Sequence, residues 1–394
     1  MRDVVIVGAA RTAIGDYFGS LSSKSAVELG AVALKGALTK AGVDAGLLEE
    51  VVGGNCIQAG SKGNTARQVA LAAGCSIETV AMTVNQLCPS SMRAAEVISQ
   101  EIMLGKIDVG AAVGYESMTN IPYILPNVRK GLRMGNNQVV DAMLNDGLVD
   151  AFNNYHMGVT AENLAEQYSI SREEQDELAL LSHQRACAAI RDGKFREEII
   201  PIEIKGKKGS VVFDTDEHPS EKTSLEALAT LKTAFKKDGT VTAGNASGLN
   251  DGGSALVLMA GDKAKELGLK PLARLVSSAS AAVDPSIMGI GVVPAVRRAL
   301  KFAGLNQEDI GYWELNEAFA AQFLACNREL KLDLNKVNVN GSGISLGHPV
   351  GCTGARLLVS LIHELQRRGD RYGCASLCAG GGPAVAVVVE NLSR

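Results

Sequence analysis

Residues 81–103 read AMTVNQLCPSSMRAAEVISQEIM. An apolar strand runs into Cys88, and beyond it Met92, Ala95, Ile98 and Ile102 recur on one helical stripe. A cysteine at that junction sits at the mouth of a helix, where unpaired N–H groups and the positive dipole end favour a thiolate over a thiol of ordinary pKa about 8.5. Pro89 fits the first helical position, where a missing N–H costs least. The bland alternative is a small buried core residue, the more common fate of a lone cysteine.

The order strand, polar turn, helix found around 85–103 recurs around 338–365, and RDVVIVGAARTAIGD at 2–16 is echoed by PLARLVSSASAAVDP at 271–285. Strand-like runs at Val4–Val7, Val109–Val113, Leu272–Ser277, Val337–Asn340 and Ala384–Val389 alternate with helical stretches, so the chain reads as α/β layers. One copy occupies residues 1–118 with 251–270 and the other 271–394. Between them, 119–250 carries the irregular, charge-rich stretches LPNVRKGLRMGNNQ and IKGKKGSVVFDTDEHPSEKTS, which suit a functional insertion better than sheet core. A helix over 171–192, opened by Ser171 and Glu174 at capping-box spacing, is assigned to this surface excursion.

The 394 residues are 46% hydrophobic, enough for a substantial core, and the formal net charge of −4 gives no general attraction to nucleic acid or an anionic membrane. The apolar run near the N-terminus is short and holds Asp3, so it reads as a buried strand rather than a signal peptide, and a cytoplasmic protein is expected. Eight cysteines without framework spacing fit a reducing compartment. No cysteine or histidine grouping has zinc spacing, and no metal is expected.

Three further segments offer chemistry. NVNGSGISLGHPVGCTGARLL at 338–358 sets His348 in a glycine-rich turn before a helix, where an imidazole suits proton transfer or hydrogen bonding to an oxyanion. LCAGGGPAVAVVVE at 377–390 places Cys378 before three glycines whose N–H groups can turn toward a ligand. ELNEAFAAQ at 314–322 brings Asn316 and Glu317 into an apolar helix, Asn316 to orient water and Glu317 to fix polar neighbours; a simple cap explains that segment equally well.

Taken in order, and with HMGVTAENLAEQY at 156–168 and VTAGNASGLNDG at 241–252, these segments resemble the thiolase family across essentially the whole chain, and within it the short-chain acetyl-CoA acetyltransferases. The resemblance implies a duplicated, five-layered α-β-α-β-α fold, with 119–250 as a CoA-binding loop domain, and a homotetramer. It implies reversible condensation of two acetyl-CoA into acetoacetyl-CoA and CoA, the latter entering as substrate or product with no bound cofactor. Cys88 would take the acetyl group with help from His348, and Cys378 would move the proton of the second substrate's methyl group. One oxyanion would be held by His348 with a water on Asn316, the other by the N–H groups of Cys88 and Gly380. His156, Met157 and Met288 would shorten the acyl pocket, with Ala243, Ser247, Ala318 and Phe319 as further CoA or acyl contacts. Mild oxidation is expected to join Cys88 to Cys378.

The chain departs from the family pattern at Pro89, where a glycine or serine run is usual, at Pro383 after the triple glycine, in MGIGVVP at 288–294, and at Ser220, where relatives often carry an arginine near the nucleotide end of CoA; Lys222 stands nearby. These leave open a 3-ketoacyl-CoA thiolase of broader chain length or a catalytically impaired CoA-binding homologue. A decarboxylating ketoacyl synthase would offer two histidines where this chain has Asn316 and Cys378.

Overall fold

In the computed structural model, which describes residues 2–206 and 209–393, the first strand already divides the interior. Along β1 (Val4–Thr12), Val4 and Ile6 enter one apolar cluster while Val5 and Val7 enter another. Side chains alternate faces along a strand, so a run that is apolar at every position must be covered on both sides. Lys207 and Lys208 of the basic stretch above lie outside the described residues.

Eight more strands complete the framework: β2 (Glu50–Gly54), β3 (Val80–Val84), β4 (Val109–Ser117), β5 (Asn250–Ala260), β6 (Ala273–Ala282), β7 (Ile310–Leu315), β8 (Tyr372–Cys378) and β9 (Pro383–Asn391). Their spatial order is β7-β8-β9-β6-β1-β5-β4-β2-β3, with two short strands at the side. The duplication is visible in the pairing. β5 is antiparallel to β1 and β4, and β4, β2 and β3 run parallel. Likewise β9 is antiparallel to β6 and β8, and β8 runs parallel to β7. The two sheets touch through β1 and β6 at only two residue pairs, Val5 with Arg274 and Ile6 with Ala273, which joins them into one continuous path.

Helices α1 (Ala26–Ala41) and α2 (Thr65–Ala73) cover the outer face of the first sheet, and α6 (Val292–Ala303) and α7 (Ala320–Leu330) that of the second. Between the sheets lie α3 (Ser90–Met103) and α8 (Val350–Arg368). The α3 stripe of Met92, Ala95, Ile98 and Ile102 meets Leu357, Leu358, Leu361 and Leu365 of α8 in one cluster, with Leu256 and Leu258 from one sheet and Leu377, Val385 and Val387 from the other. Each fully buried Leu, Ile or Val there contributes roughly 1.5–3 kcal/mol. This sandwiched pair is the central layer of five, as anticipated.

Val337–Asn340 does not form the expected strand: only a single parallel bridge joins Trp313 to Val337. The cause is Asn338, whose φ of 48° bends the chain out of extension. Its side chain occupies the ladder instead, with Oδ1 accepting from Leu315 N–H at 2.9 Å and Nδ2 donating to Leu315 O at 2.7 Å. The segment between β4 and β5 holds α4 (Met157–Gln167), α5 (Arg172–Arg191) and a hairpin of Ile202–Gly206 with Gly209–Phe213. The Ser171/Glu174 capping box opens α5 as the spacing required. This helix is more than a surface excursion, because its buried Ser182 donates to Glu317 at 2.6 Å beneath the candidate site.

Candidate active site

Cys88 stands in the turn between β3 and α3, and polar side chains shape that turn. Asn85 Oδ1 accepts from Leu87 N–H at 2.9 Å, while Ser90 Oγ accepts from Gln86 N–H at 2.9 Å and Ser90 N–H donates to Leu87 O at 2.9 Å. Leu87 is thereby held at φ 54°, a left-handed conformation costing an ordinary residue about 1–2 kcal/mol. Pro89 is the N-cap, and the helix starts one residue later than the sequence suggested, at Ser90. The proline therefore removes a donor that the turn does not use, leaving Cys88 N–H directed at its own sulfur together with the N–H of Gly380.

The expected low thiol pKa is not found. Burial pushes Cys88 up to about 12, against the pull of those two N–H groups. Desolvation of the charged form outweighs the helix end here, because the sulfur lies in an apolar chamber. Any thiolate must be made during the reaction by a base.

His348 supplies a neutral imidazole. Its Nδ1 lies 2.7 Å from Thr353 Oγ1, whose hydroxyl donates to Pro349 O at 3.0 Å, so Thr353 accepts and the ring proton is assigned to Nδ1. Nε2 then carries a lone pair, with Asn316 Nδ2 at 3.5 Å. Burial, and secondarily the Arg356 charge, lowers His348 to about 3. Among the described residues Asn316 Oδ1 is buried without a hydrogen-bond partner, on the side that faces Gly343. Glu317 holds the segment in place, accepting from Ser182 and, at 2.9 Å, from Asn338 Nδ2.

Cys88 and His348 converge on a cavity of about 380 Å³. Cys88, His348 and Gly380 line it, as do His156, Met157, Ala243, Ser247, Met288, Ala318 and Phe319. Asn316 and Cys378 do not line it. Asn316 stands behind His348, and Cys378, at the end of β8, is buried close enough to Cys88 and Cys326 for their charges to add to the burial that raises its pKa well above normal. The loop 241–249 is stitched to the Asn316 segment by Ser247 N–H to Ala318 O at 2.9 Å and Ala320 N–H to Asn245 O at 2.8 Å. His156 caps α4, its Nδ1 accepting from Gly158 N–H at 3.0 Å, and burial lowers its pKa.

Sequence reading missed Phe235, whose ring stacks on His156 with centroids 4.5 Å apart and meets Phe319 edge-on at 6.0 Å. It also missed Met118, Leu148 and Val350 in the wall; Leu148 ends a π-helical turn, Leu144–Leu148, a distortion frequent at functional sites. None of these stands in a patterned motif. Ser220 lies apart, donating its N–H to His183 Nδ1 at 3.2 Å in a separate surface pocket with Cys187 and Arg191.

With this geometry in hand, two family models match the chain, the thiolase N-terminal domain over residues 4–262 and the thiolase C-terminal domain over 269–391. The chain belongs to the thiolase family. This thiolase is 54% identical over 392 residues to an acetyl-CoA acetyltransferase of Pseudomonas aeruginosa, covering 99% of this chain and 100% of that one. The Escherichia coli acetyl-CoA acetyltransferase is 49% identical over 394 residues, covering 100% of both. Among solved structures, that of acetyl-CoA acetyltransferase from Syntrophomonas wolfei superposes with a TM-score of 0.98 at 50% identity, over 99% of this thiolase and 100% of that chain. Human mitochondrial 3-ketoacyl-CoA thiolase does so with a TM-score of 0.96 at 44% identity, over 99% of each.

Proposed function

We propose that this thiolase is an acetyl-CoA C-acetyltransferase that joins two acetyl-CoA into acetoacetyl-CoA and CoA, reversibly, through an acetyl-Cys88 intermediate. The observation that carries the reading is that Cys88, a neutral His348 and the Gly380 N–H meet in one apolar cavity. The full-length likeness to acetyl-CoA acetyltransferases supports the same assignment.

In the first half-reaction the Cys88 proton passes to His348 Nε2 as sulfur attacks the thioester carbonyl. The carbonyl oxygen, becoming an oxyanion, is held by the N–H groups of Cys88 and Gly380. On collapse the C–S bond to CoA breaks and the buried Cys378 thiol gives its proton to the departing CoA thiolate, which leaves Cys378 as a thiolate beside the imidazolium. In the second, Cys378 acts as base on the methyl group of another acetyl-CoA, and the enolate oxygen is met by His348 and a water on Asn316. The carbanion attacks acetyl-Cys88, the new C–C bond forms, and Cys88 leaves as a thiolate that recovers its proton from the imidazolium, while Cys378 keeps the proton taken from the methyl group. Coenzyme A is substrate and product, with no bound cofactor required.

Met157 and Met288 in the wall, with Phe235 stacked beside them on His156, favour short acyl groups. A role in fatty acid metabolism in the cytoplasm fits this chemistry, and among the described residues no helix is long and apolar enough to cross a membrane. A homotetramer is part of the proposal, supported by Val80 and Met82 exposed on the edge strand β3, with Ile77 exposed beside them. Thiolysis of 3-ketoacyl-CoA substrates of increasing length tests the reading, with Cys88→Ala as the control. Turnover falling steeply beyond four carbons is expected; a preference for long chains, or an alanine variant at full rate, would overturn it.

A further inference from the structure

His348 is held by its backbone as well as by its ring. Its N–H donates at 3.0 Å to Oδ1 of Asn250, the fully buried first residue of β5. The Asn250 amide is itself oriented, because Nδ2 donates to Gly15 O at 3.1 Å and reaches Asp16 Oδ1 at 3.3 Å. That same Asp16 oxygen lies 2.6 Å from His218 Nδ1. The amide is also packed against the left-handed Gly347 (φ 98°), where an added Cβ would come within 2.5 Å of Asn250 Cγ.

We infer that Asn250 is a positioning residue for the acetyl transfer, with Asp16 fixing which way its amide points. The inference rests on His348 being the base that activates Cys88. With donors satisfied by Gly15 and Asp16, the amide can only offer its oxygen toward His348, and the peptide before the imidazole has one seat. Without it, the glycine-rich turn from 341 to 347, which contains two left-handed glycines, has lost the side-chain acceptor that holds its catalytic end. The relay also reaches the substrate wall, since a Cβ on Gly248, which lines the cavity, would approach both the His218 ring and Asn250 Oδ1.

The test compares purified wild type, Asn250→Ala and Asn250→Asp in acetoacetyl-CoA thiolysis, with acetylation of Cys88 followed by mass spectrometry. Misplacement of a reacting group by about 1 Å costs roughly a hundredfold. Asn250→Ala is therefore expected to lower kcat and the acetylation rate together by about ten- to a hundredfold, with KM for acetoacetyl-CoA changed less than about threefold. The carboxyl introduced by N250D, when protonated, reproduces the amide: its O–H donates to Gly15 or Asp16 and its carbonyl accepts from His348. It faces Asp16, His218 and His348, with Glu217 accepting from Asp16 N–H, so ionisation beside Asp16 destroys the arrangement. N250D should therefore approach wild type at acid pH and fall progressively behind it as pH rises, a pH-dependent ratio that a loss of packing alone does not produce. An Asn250→Ala variant with wild-type kcat, or an N250D to wild-type ratio independent of pH, overturns the inference; should the alanine variant not fold, N250D, nearly the same size, decides alone. Wild type without thiolysis activity would instead refute the function proposed above.

Discussion

Replacing Gly380 by alanine tests the oxyanion site directly. Gly380, unlike Gly381 (φ 80°) and Gly382 (φ 102°), does not occupy the left-handed region, so the backbone itself tolerates a side chain. The space does not. A Cβ there would overlap Met157 Cε and come within 2.9 Å of Leu87 Cδ1. Leu87 is pinned in its left-handed turn next to the nucleophile, and Met157 lines the cavity, so the clash is relieved by moving the 380 peptide away from Cys88 or by pushing the methionine into the acyl site. The first route takes away one of the two N–H groups aimed at the reacting centre. Losing one such donor costs about 10²–10³ in turnover, roughly 3–4 kcal/mol of transition-state stabilisation. Steady-state acetoacetyl-CoA thiolysis, with thermal unfolding as the folding control, should find kcat down by that factor and the melting temperature little changed. A kcat within about threefold of the parent, worth only ~0.7 kcal/mol, with KM also unchanged, would refute the geometry argued for this site, because the methionine route narrows the acyl site and raises KM.

Other outcomes follow from the buried titratable groups. ¹³C-histidine NMR should find His348 neutral from pH 5 to 9, because burial has moved its titration to about 3; an inflection near 6.5 that disappears in His348→Ala would contradict it. Glu314 is raised to about 8, chiefly by burial and against the opposing pull of Arg356, whose guanidinium is 3.4 Å away. The fold thus favours its protonated form, so its contribution is complete below the unfolded-state value near 4.5 and is lost as pH rises toward 8. Urea midpoints should fall across that window by an amount worth on the order of a few kcal/mol, and Glu314→Gln should flatten the fall while leaving the part due to Glu116, raised to about 7. Diamide, a two-electron oxidant, should link Cys88 to Cys378 with loss of both thiol protons and reversibly abolish activity; mass spectrometry finding no such cross-link in inactivated protein would exclude it.

Much of the architecture was legible because the sequence repeats itself in the parts that matter. The apolar runs at 4–7, 109–113 and 384–389 had to be strands covered on both faces, and Ser171 with Glu174 marked a helix start by local chemistry alone. Asn338 defeated the same reasoning: nothing in VNVN distinguishes a strand from a bend in which a side-chain amide substitutes for the neighbouring backbone. The candidate site residues Cys88, His348 and Cys378 were findable because each sits where glycine, proline and small polar residues interrupt an apolar pattern. Phe235 and Leu148 were not, since a wall residue needs only bulk and its place is set by contacts distant in the chain. The ionisation state of Cys88 was misread for a related reason. A helix end is a local feature visible in sequence, whereas the water excluded around the sulfur depends on segments distant in the chain closing over it.

The central layer sets the minimum unit of chemistry. The sulfur precedes α3 and the imidazole precedes α8, so matching corners of the two copies supply unlike partners. A molecule built from two identical copies would confront sulfur with sulfur or imidazole with imidazole, leaving no proton acceptor opposite a nucleophile. The divergence of the copies, rather than their shared framework, creates the asymmetry that lets a proton move one way while an acyl group moves the other. For the same reason neither copy expressed alone would contain half an enzyme: the first would carry Cys88 without the imidazole, and the second His348 and Cys378 without the sulfur they face.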